Sequence, residues 1–244
     1  MNKIALVTGA SRGIGRETAL LMSKNGYTVA VNYNNSKEMA ENLVTEIKQS
    51  GNDAFAIKAD VSVYNEVNCM VDFIINNYGK IDVLVNNAGI SKQILFTDIK
   101  ELQWDKMFDV NVKGVFNCCS CVVPSMISRK YGKIINISSI WGLTGASCEV
   151  HYSASKAAVI GFTKALAKEL GPSGINVNCI APGVILTDMN SMLDECTINE
   201  LKSETPLRSI GSAIDVANAV LFLADDKSSF ITGQVISPNG GYVI

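Results

Sequence analysis

Short apolar runs rich in β-branched residues alternate with segments of helical period along almost the whole chain. Strands are predicted at Ile4–Thr8, Thr28–Tyr33, Ala54–Lys58, Val83–Asn86, Lys133–Ser138, Asn176–Ile180 and Gln234–Ser237. Helices are predicted between them, at Gly15–Lys24, Lys37–Gln49, Tyr64–Asn77, Leu102–Ser128, Tyr152–Leu170 and Ala213–Ala224. This alternation indicates βαβ units, whose right-handed crossovers place helices on both faces of a parallel sheet. The chain is therefore predicted to be an α/β protein with a doubly wound, mainly parallel seven-stranded sheet.

The chain has 244 residues, a length that commonly builds one large core, so residues 1–244 are predicted to form a single domain. Residues 183–208 break the alternation, because they are polar and weakly periodic. Long insertions in compact domains are usually lids or binding loops, and a merely decorated surface loop is the alternative. We predict a substrate lid within 183–208.

A glycine-rich turn joins the first predicted strand to the first predicted helix, and it reads Gly-Ala-Ser-Arg-Gly-Ile-Gly from Gly9 to Gly15. Gly9 permits a tight turn, Gly13 lets the backbone approach a pyrophosphate, and Gly15 lets helix and strand pack closely. The N-terminus of the helix would face the phosphates. This context predicts a Rossmann NAD(P)-binding domain, although an ordinary βα turn can carry the same glycines.

Tyr152 and Lys156 stand four residues apart in a predicted helix and follow Ser139 in the chain. Positions i and i+4 share one face of a helix. We expect the ammonium to stabilise the phenolate, to lower the pKa of Tyr152 below its ordinary value of about 10, and so to make the phenol a usable proton donor. Tyr and Lys at this spacing also occur on many helices that have no catalytic role.

Composition argues against several classes of partner. The formal net charge is −2 and hydrophobic residues make up 48% of the chain, so no nucleic-acid or membrane-surface partner is expected. No uninterrupted apolar run approaches the ~20 residues that a membrane helix needs. Because Met1-Asn2-Lys3 leads directly into the first strand, no signal peptide is expected and a cytoplasmic location is predicted.

The chain has seven cysteines, an odd number, and they are expected to be reduced thiols. Cys118 and Cys121 have C-x-x-C spacing, with Cys119 between them. A zinc site would need further ligands, and His151 is the one histidine of the sequence. We therefore interpret these cysteines as small residues at a helix contact, with no metal site, and a redox motif as the weaker alternative.

The motifs occur in the order that is typical of one family. They are Thr8-Gly9-Ala10-Ser11-Arg12-Gly13-Ile14-Gly15, Asn86-Asn87-Ala88-Gly89, Asn111, Ser139, Tyr152-x-x-x-Lys156 and Pro182-Gly183. Over essentially its whole length the chain resembles the short-chain dehydrogenase/reductase family. Within that family it is most similar to the 3-oxoacyl-[acyl-carrier-protein] reductases of fatty acid biosynthesis, and the closing segment from Ile231 to Gly241 fits as well.

The resemblance implies NADPH-dependent reduction of a 3-oxoacyl thioester to its 3-hydroxyacyl form. Tyr152 would donate a proton to the substrate carbonyl oxygen and Ser139 would hold that oxygen. Lys156 would reach the nicotinamide ribose, and Asn111 would hold a water in a proton relay. A homotetramer is also implied, in which the helices carrying Asn111 and Tyr152 pair across one interface. Ala157, Ala158, Gly161, Ala165 and the Cys118–Cys121 segment would allow the close approach.

The choice of cofactor follows from the end of the second strand, which carries no acid from Val31 to Ser36. A carboxylate there would repel a 2′-phosphate, and Arg12 supplies a cation, so NADPH/NADP is predicted over NAD. By resemblance, Arg12 and Asn34 would contact the 2′-phosphate. The predicted cofactor residues are Gly9, Ser11, Arg12, Gly13, Ile14, Gly15, Asn34, Asp60, Val61, Asn87, Ala88, Gly89, Tyr152, Lys156, Pro182, Gly183, Ile185 and Thr187.

Some positions depart from the carrier-protein reductases. Arg129 and Lys130 match one basic position that would receive the acidic carrier near the active-site entrance, but Ser173 stands at the second. Trp141, Cys148, Glu149 and His151 also depart from the subfamily and flank the predicted catalytic residues, and His151 is as readily a surface residue as a substrate contact. Two further hypotheses therefore stay open. The chain could act on a free ketone or alcohol, a sugar or a steroid, or it could be a non-catalytic dinucleotide-binding protein.

Overall fold

A parallel sheet of seven strands runs through the middle of the protein in the computed structural model, which describes residues 2–187 and 194–244. The strands are β1 (Lys3–Val7), β2 (Tyr27–Tyr33), β3 (Ala54–Lys58), β4 (Val83–Asn86), β5 (Gly132–Ile137), β6 (Ile175–Ile180) and β9 (Val235–Ile236). Their order is β3-β2-β1-β4-β5-β6-β9. A second sheet pairs β7 (Ile185–Leu186) with β8 (Gly211–Ser212). The predicted fold is confirmed, since every strand pair in the large sheet is parallel.

Helices cover both faces of this sheet. They are α1 (Gly13–Lys24), α2 (Lys37–Gln49), α3 (Tyr64–Tyr78), α4 (Glu101–Phe108), α5 (Gly114–Arg129), α6 (Trp141–Thr144), α7 (Val150–Leu170), α8 (Glu195–Glu204) and α9 (Ala213–Ala224). Side chains from α1, α2 and α9 form one core against the sheet, and side chains from α3, α5 and α7 form the other. In α2, for example, Ala40, Leu43 and Ile47 recur at helical spacing and are buried. All seven residues of β2 are buried between the two layers, as a continuous apolar run predicts.

The predicted helix at Leu102–Ser128 is not one regular α-helix. A π-helical turn at Asp109–Lys113 joins α4 to α5, so the helical path from Glu101 to Arg129 is continuous but irregular. By length and average hydropathy this path could cross a membrane, although it contains no uninterrupted apolar run of that length. Nevertheless 44% of its most apolar window lies buried inside the protein, and core helices have the same composition.

Two of the clustered cysteines pack in the core. Cys118 and Cys119 are buried in α5, and burial raises the pKa of both thiols, that of Cys119 to about 12. All seven cysteines are free, and within residues 2–187 and 194–244 no His, Cys, Asp or Glu cluster could hold a metal ion. Inert packing thiols fit this setting better than a redox pair.

The sequence missed several short elements. They are α6, α8, β7 and β8, of which β7 and α8 lie within the predicted lid region 183–208 and β8 follows it. Residues 188–193 of that region lie outside the described residues, so the lid stays a prediction.

Candidate active site

The predicted site residues converge at the carboxyl edge of the sheet, where the strand order reverses between β1 and β4. The loops that follow β1 and β4 diverge at this switch point. The crevice between them is typical of dinucleotide sites in doubly wound sheets. The glycine-rich turn follows β1, Asn87–Gly89 follow β4, Ser139 follows β5, and Pro182 and Gly183 follow β6.

The glycine-rich turn depends on glycine at two points that the structure makes explicit. Gly9 has a φ of +59°, and a Cβ there would lie 2.9 Å from the Ala88 Cα. A Cβ on Gly15 would lie 2.5 Å from the Asn87 Nδ2 and 2.6 Å from the Gly9 carbonyl oxygen. The turn therefore brings α1, β1 and the loop after β4 closer together than any side chain would permit.

The N-terminus of α1 has the properties of an anion site. Its N-cap residue, Arg12, makes no side-chain capping bond, and no acid occurs in the first turn. Free backbone N–H groups and the helix dipole favour a phosphate at such an end. The Arg12 side chain is exposed and has no ion pair among the described residues. Ser11, Gly13 and Ile14 complete this phosphate cradle, so the chain fits a dinucleotide here.

The adenosine end of the crevice is bounded by the ends of β2 and β3. Asn34 donates a hydrogen bond of 2.8 Å to Asp60 Oδ2, and Asp60 Oδ1 accepts from the Ser62 backbone and hydroxyl. These hydrogen bonds lower the pKa of Asp60, although burial opposes them. Val61, which follows, is buried. Asn34 and Asp60 are thus neighbours, as a shared adenosine site requires.

The ribose end is held by polar contacts between β1 and the loop after β4. The Thr8 hydroxyl accepts hydrogen bonds from the Asn87 and Ala88 amides, both at 3.0 Å. The Asn87 side chain donates to the carbonyl oxygens of Thr8 and Gly9. Gly89 is close enough to Lys156 that a Cβ there would lie 3.3 Å from Nζ. On the far side of the phosphate cradle, a Cβ on Gly13 would lie 3.6 Å from Thr187 Cβ, and Ile185 is buried beneath.

Asn111 lies in the π-helical turn and clamps the loop that follows Gly89. Its Oδ1 accepts from the Ile90 amide and its Nδ2 donates to the Ile90 carbonyl, both at 2.9 Å. Nδ2 also donates to the Ser155 hydroxyl at 3.0 Å. Both ends of the amide are therefore engaged by protein, and the π-turn that carries Asn111 is a feature frequent at functional sites.

Ser139 follows β5 and is 8% exposed. Its hydroxyl accepts a hydrogen bond of 3.2 Å from the Trp141 amide in α6. The Ile140 amide donates to the Pro182 carbonyl at 3.0 Å, which fixes the loop against the end of β6. The Trp141 ring meets the Tyr242 ring edge-on at 6.0 Å, and Tyr242 donates to Glu204, so the C-terminal tail closes over this side.

Lys156 is buried below Tyr152 in α7. Its Nζ donates a hydrogen bond of 2.9 Å to the Ile137 carbonyl, and Ser138 Oγ donates to the Lys156 carbonyl at 2.8 Å. Burial lowers the pKa of Lys156 to about 8, although the Cys179 thiol opposes the shift. The end of β5 thus fixes the lysine on two sides.

The expectation that Lys156 lowers the pKa of Tyr152 is wrong. Burial raises the pKa of Tyr152 to about 12, although a hydrogen bond with Ser139 lowers it, and the charge of Glu149 raises it further. Desolvation is the largest cause, and the Lys156 ammonium does not offset it. Tyr152 is consequently protonated at neutral pH, the state that a proton donor needs.

Two neighbours of Tyr152 differ from what the sequence indicated. His151 is 1% exposed, so it is not a surface residue, and its Nδ1 is buried without a partner among the described residues. Glu149 is 7% exposed and accepts a hydrogen bond of 3.1 Å from Ser91. Ser91 and Glu149 lie 58 residues apart, so no local pattern in the sequence indicates their contact.

The basic position proposed for carrier docking lies elsewhere. Arg129 ends α5 at the opposite, amino edge of the sheet, where it pairs with Asp82 at 2.9 Å immediately before β4. Ser173 lies at the same edge, since a Cβ on the next residue, Gly174, would lie 2.7 Å from the Lys130 carbonyl. Arg129 and Lys130 therefore do not line the entrance to Tyr152 within one subunit.

Comparison with known proteins agrees with the motifs and the fold. The sequence model of the family described as short chain dehydrogenase matches residues 3–197. The chain is 49% identical over 241 residues to the 3-oxoacyl-[acyl-carrier-protein] reductase FabG of Staphylococcus epidermidis, with 99% of each chain covered. It is 43% identical over 242 residues to the reductase of the same name from Thermotoga maritima, covering 99% of this chain and 98% of the relative. The chain is a member of the short-chain dehydrogenase family and an oxidoreductase that uses a nicotinamide dinucleotide.

Proposed function

We propose that this enzyme reduces the 3-oxo group of a 3-oxoacyl-[acyl-carrier-protein] to the 3-hydroxyacyl form in fatty acid biosynthesis, with NADPH as reductant. The observation that carries the substrate assignment is the 49% identity to reductases of that name along 99% of both chains. The reaction centre alone would serve many ketones, so the likeness along the whole chain decides among them.

The chain binds and orients the reactants at the switch point of the sheet. The cradle formed by Gly9–Gly15 takes the pyrophosphate, and Asn87–Gly89 with Lys156 take the nicotinamide ribose. When bound, the reduced nicotinamide supplies the hydride. Pro182, Gly183, Ile185 and Thr187 bound the space for the nicotinamide ring from the β6 side.

Proton transfer is the task of the catalytic residues Asn111, Ser139, Tyr152 and Lys156. The carbonyl oxygen would lie between the hydroxyls of Ser139 and Tyr152, which are close enough that Ser139 lowers the pKa of Tyr152 against the effect of burial. Ser139 holds the oxygen where negative charge develops, and Tyr152 gives up its proton there. A pKa of about 12 does not prevent this, because the developing alkoxide is a stronger base than a phenolate. Lys156 then returns a proton to Tyr152 by way of solvent that reaches the π-turn at Asn111.

The preference for NADPH rests on charge. No acid follows β2 from Asn34 to Ser36, and the Arg12 guanidinium at the N-terminus of α1 has no ion pair in the described part of the chain. A guanidinium binds the 2′-phosphate through paired hydrogen bonds.

The proposed assembly is a cytoplasmic homotetramer of single-domain subunits. Ala157, Gly161 and Ala165 form an exposed small-residue face on α7, whereas Cys118 and Cys119 point into the core and do not contribute. Large apolar side chains are exposed on neighbouring surfaces, among them Leu102 and Phe116 on α4 and α5. Helix pairing would cover both sets of residues.

One assay tests the function. The purified enzyme is given NADPH with an acetoacetyl thioester, first on a carrier protein and then on a small thiol, and with a panel of free ketones, sugars and steroids. We expect the thioesters to have the highest kcat/KM. Turnover of a free ketone alone would assign the enzyme to another substrate class. Binding of NADPH without any turnover would favour a non-catalytic role.

A further inference from the structure

Glu149 is a buried carboxylate without a cationic partner. It is 7% exposed, and no Lys, Arg or His nitrogen in residues 2–187 and 194–244 lies within 4.0 Å of it, since it occurs in none of the ion pairs there. Burying an unpaired carboxylate is costly, and such groups persist mainly where function requires them. The position therefore calls for a reason beyond folding.

Capping of α7 does not supply that reason. Glu149 is the N-cap residue, but its side chain makes no capping hydrogen bond to the free amides of the first turn. The one hydrogen bond it accepts comes from Ser91 Oγ to Oε2, at 3.1 Å. The other oxygen, Oε1, accepts no hydrogen bond from the described residues, so it is left for a donor on a ligand.

The backbone around Glu149 is held in an unfavourable conformation. Cys148 has a φ of +60°, a left-handed conformation that costs a non-glycine residue about 1–2 kcal/mol. The Cys148 carbonyl accepts a hydrogen bond of 2.8 Å from the Ile94 amide, and the Ala146 amide donates to Ser153 Oγ at 3.2 Å. Two segments therefore fix the turn that delivers Glu149 to its position.

Glu149 lies beside the reaction centre. It precedes the first residue of α7, and Tyr152 stands in the first turn of that helix. Ser91 follows the Gly89–Ile90 stretch, which is bound by Asn111 on one side and adjoins Lys156 on the other. The charge of Glu149 also contributes to the high pKa of Tyr152. A substrate carbonyl at Tyr152 would therefore lie within the field of this carboxylate.

We propose that Glu149 binds a positively charged amine carried by a ketone substrate, so that the site accepts amino ketones as a second substrate class. The acyl chain of a 3-oxoacyl thioester is neutral and leaves this carboxylate unpaired. An ammonium group a few bonds from the carbonyl would pair with Oε1 while Ser91 holds Oε2. The inference rests on the reaction centre of the proposed function but not on its thioester substrate.

The test compares two ketones of equal ring size, 4-piperidone, which is a cation at neutral pH, and cyclohexanone, which is neutral. NADPH-dependent kcat/KM is measured for both with the wild type and with Glu149→Gln, an isosteric change that keeps an acceptor for Ser91. Glu204→Gln serves as the control, because it removes an exposed carboxylate that binds Tyr242 at the C-terminal side of the site.

We expect the wild type to favour 4-piperidone by at least about tenfold, which corresponds to about 1.4 kcal/mol. Glu149→Gln should lower the 4-piperidone value about tenfold and leave cyclohexanone within about twofold, and Glu204→Gln should change neither preference. Equal use of both ketones by the wild type, or an equal fall for both in Glu149→Gln, would overturn the proposal. Equal use of both ketones by the wild type refutes the proposal even if the variant does not fold. Support requires that the ratio of the two kcat/KM values falls in Glu149→Gln, because that comparison cancels the greater intrinsic reactivity of the charged ketone toward hydride.

An acetoacetyl thioester in the same series separates this inference from the proposed function. Reduction of the thioester without a preference for 4-piperidone would refute the role of Glu149 alone. A preference for 4-piperidone without reduction of the thioester would refute the carrier-bound substrate and leave the role of Glu149 standing.

Discussion

The ammonium nitrogen of Lys156 lies 5.7 Å from the centre of the Tyr152 ring. The hydrogen bond from Nζ to the Ile137 carbonyl fixes that separation, because it ties the lysine to the end of β5. Burial penalises the charged form of each residue, so the tyrosine is a neutral acid and the lysine a weak one at neutral pH. Folding alone would not favour such a pair, which is a reason to assign it to chemistry.

Lys156→Met should stabilise the cofactor-free protein while removing most activity. The pKa of Lys156 is lowered from 10.5 to about 8. At pH values below 8 the buried ammonium therefore costs the folded state on the order of 3 kcal/mol, less what its hydrogen bond to Ile137 returns. That cost shrinks as pH rises from about 8 to 10.5, because the folded state releases the proton above about pH 8 while the unfolded chain keeps it up to about 10.5. Urea unfolding at pH 7 should give the variant a larger free energy of unfolding than the wild type. At about pH 9.5 the difference between the two should be smaller. An equal gap at both pH values would contradict the low pKa.

Arg12→Ala should weaken NADPH binding at least about tenfold and leave NADH binding within about twofold. The wild type should bind NADPH at least about tenfold more tightly than NADH, a difference of about 1.4 kcal/mol. Fluorescence titration of both cofactors measures this. Arg16→Ala is the matched control, because Arg16 is already paired with Glu17 and Glu46. Equal wild-type affinities for the two cofactors would show that the protein does not recognise the 2′-phosphate.

Gly15→Ala should destabilise the protein by about 1–3 kcal/mol and impair cofactor binding. The added Cβ would lie 2.5 Å from Asn87 Nδ2 and 2.6 Å from the Gly9 carbonyl, two groups that the turn itself positions. In Gly171→Ala a Cβ meets nothing within 4 Å, so thermal unfolding should place this control within about 0.5 kcal/mol of the wild type. Equal effects at the two positions would show that close packing is not what selects Gly15.

Gly161→Arg should shift the protein from a tetramer to smaller species, since Gly161 lies in the exposed small-residue face of α7. Asn42→Arg places the same side chain on an exposed site of α2 and should leave the mass unchanged. Light scattering at micromolar concentration reports both. A wild-type protein of monomeric mass would refute the proposed assembly.

The sequence predicted the fold well because the signals were local. Ala54–Lys58, Lys37–Gln49 and Ala213–Ala224 have the predicted bounds, since apolar runs and helical spacing express burial directly. The four-residue α6 and the two-residue strands β7 and β8 are too short to show a helical or strand period of apolar residues. The π-turn at Asp109–Lys113 was missed for another reason, because its apolar spacing still resembles that of a helix.

The active site was predictable where its residues belong to one contiguous motif. It was unpredictable where residues from distant segments meet. Gly9–Gly15 and Tyr152–Lys156 are contiguous, so spacing alone located them. The contacts of Glu149 with Ser91 and of Trp141 with Tyr242 join separate segments, and no local pattern announces them. The pKa of Tyr152 failed as a prediction because desolvation depends on burial, which the spacing of two residues does not reveal.

The most direct test of the account is the rate of NADPH-dependent reduction by Tyr152→Phe. This change removes the proton donor and leaves Lys156, Ser139 and the phosphate cradle in place. With an acetoacetyl thioester, kcat should fall by about 10²–10⁴-fold, while the dissociation constant for NADPH, measured by fluorescence titration, stays within about twofold of the wild-type value. Reduction at the wild-type rate would mean that the proton comes from another group and that Tyr152 is not the catalytic acid.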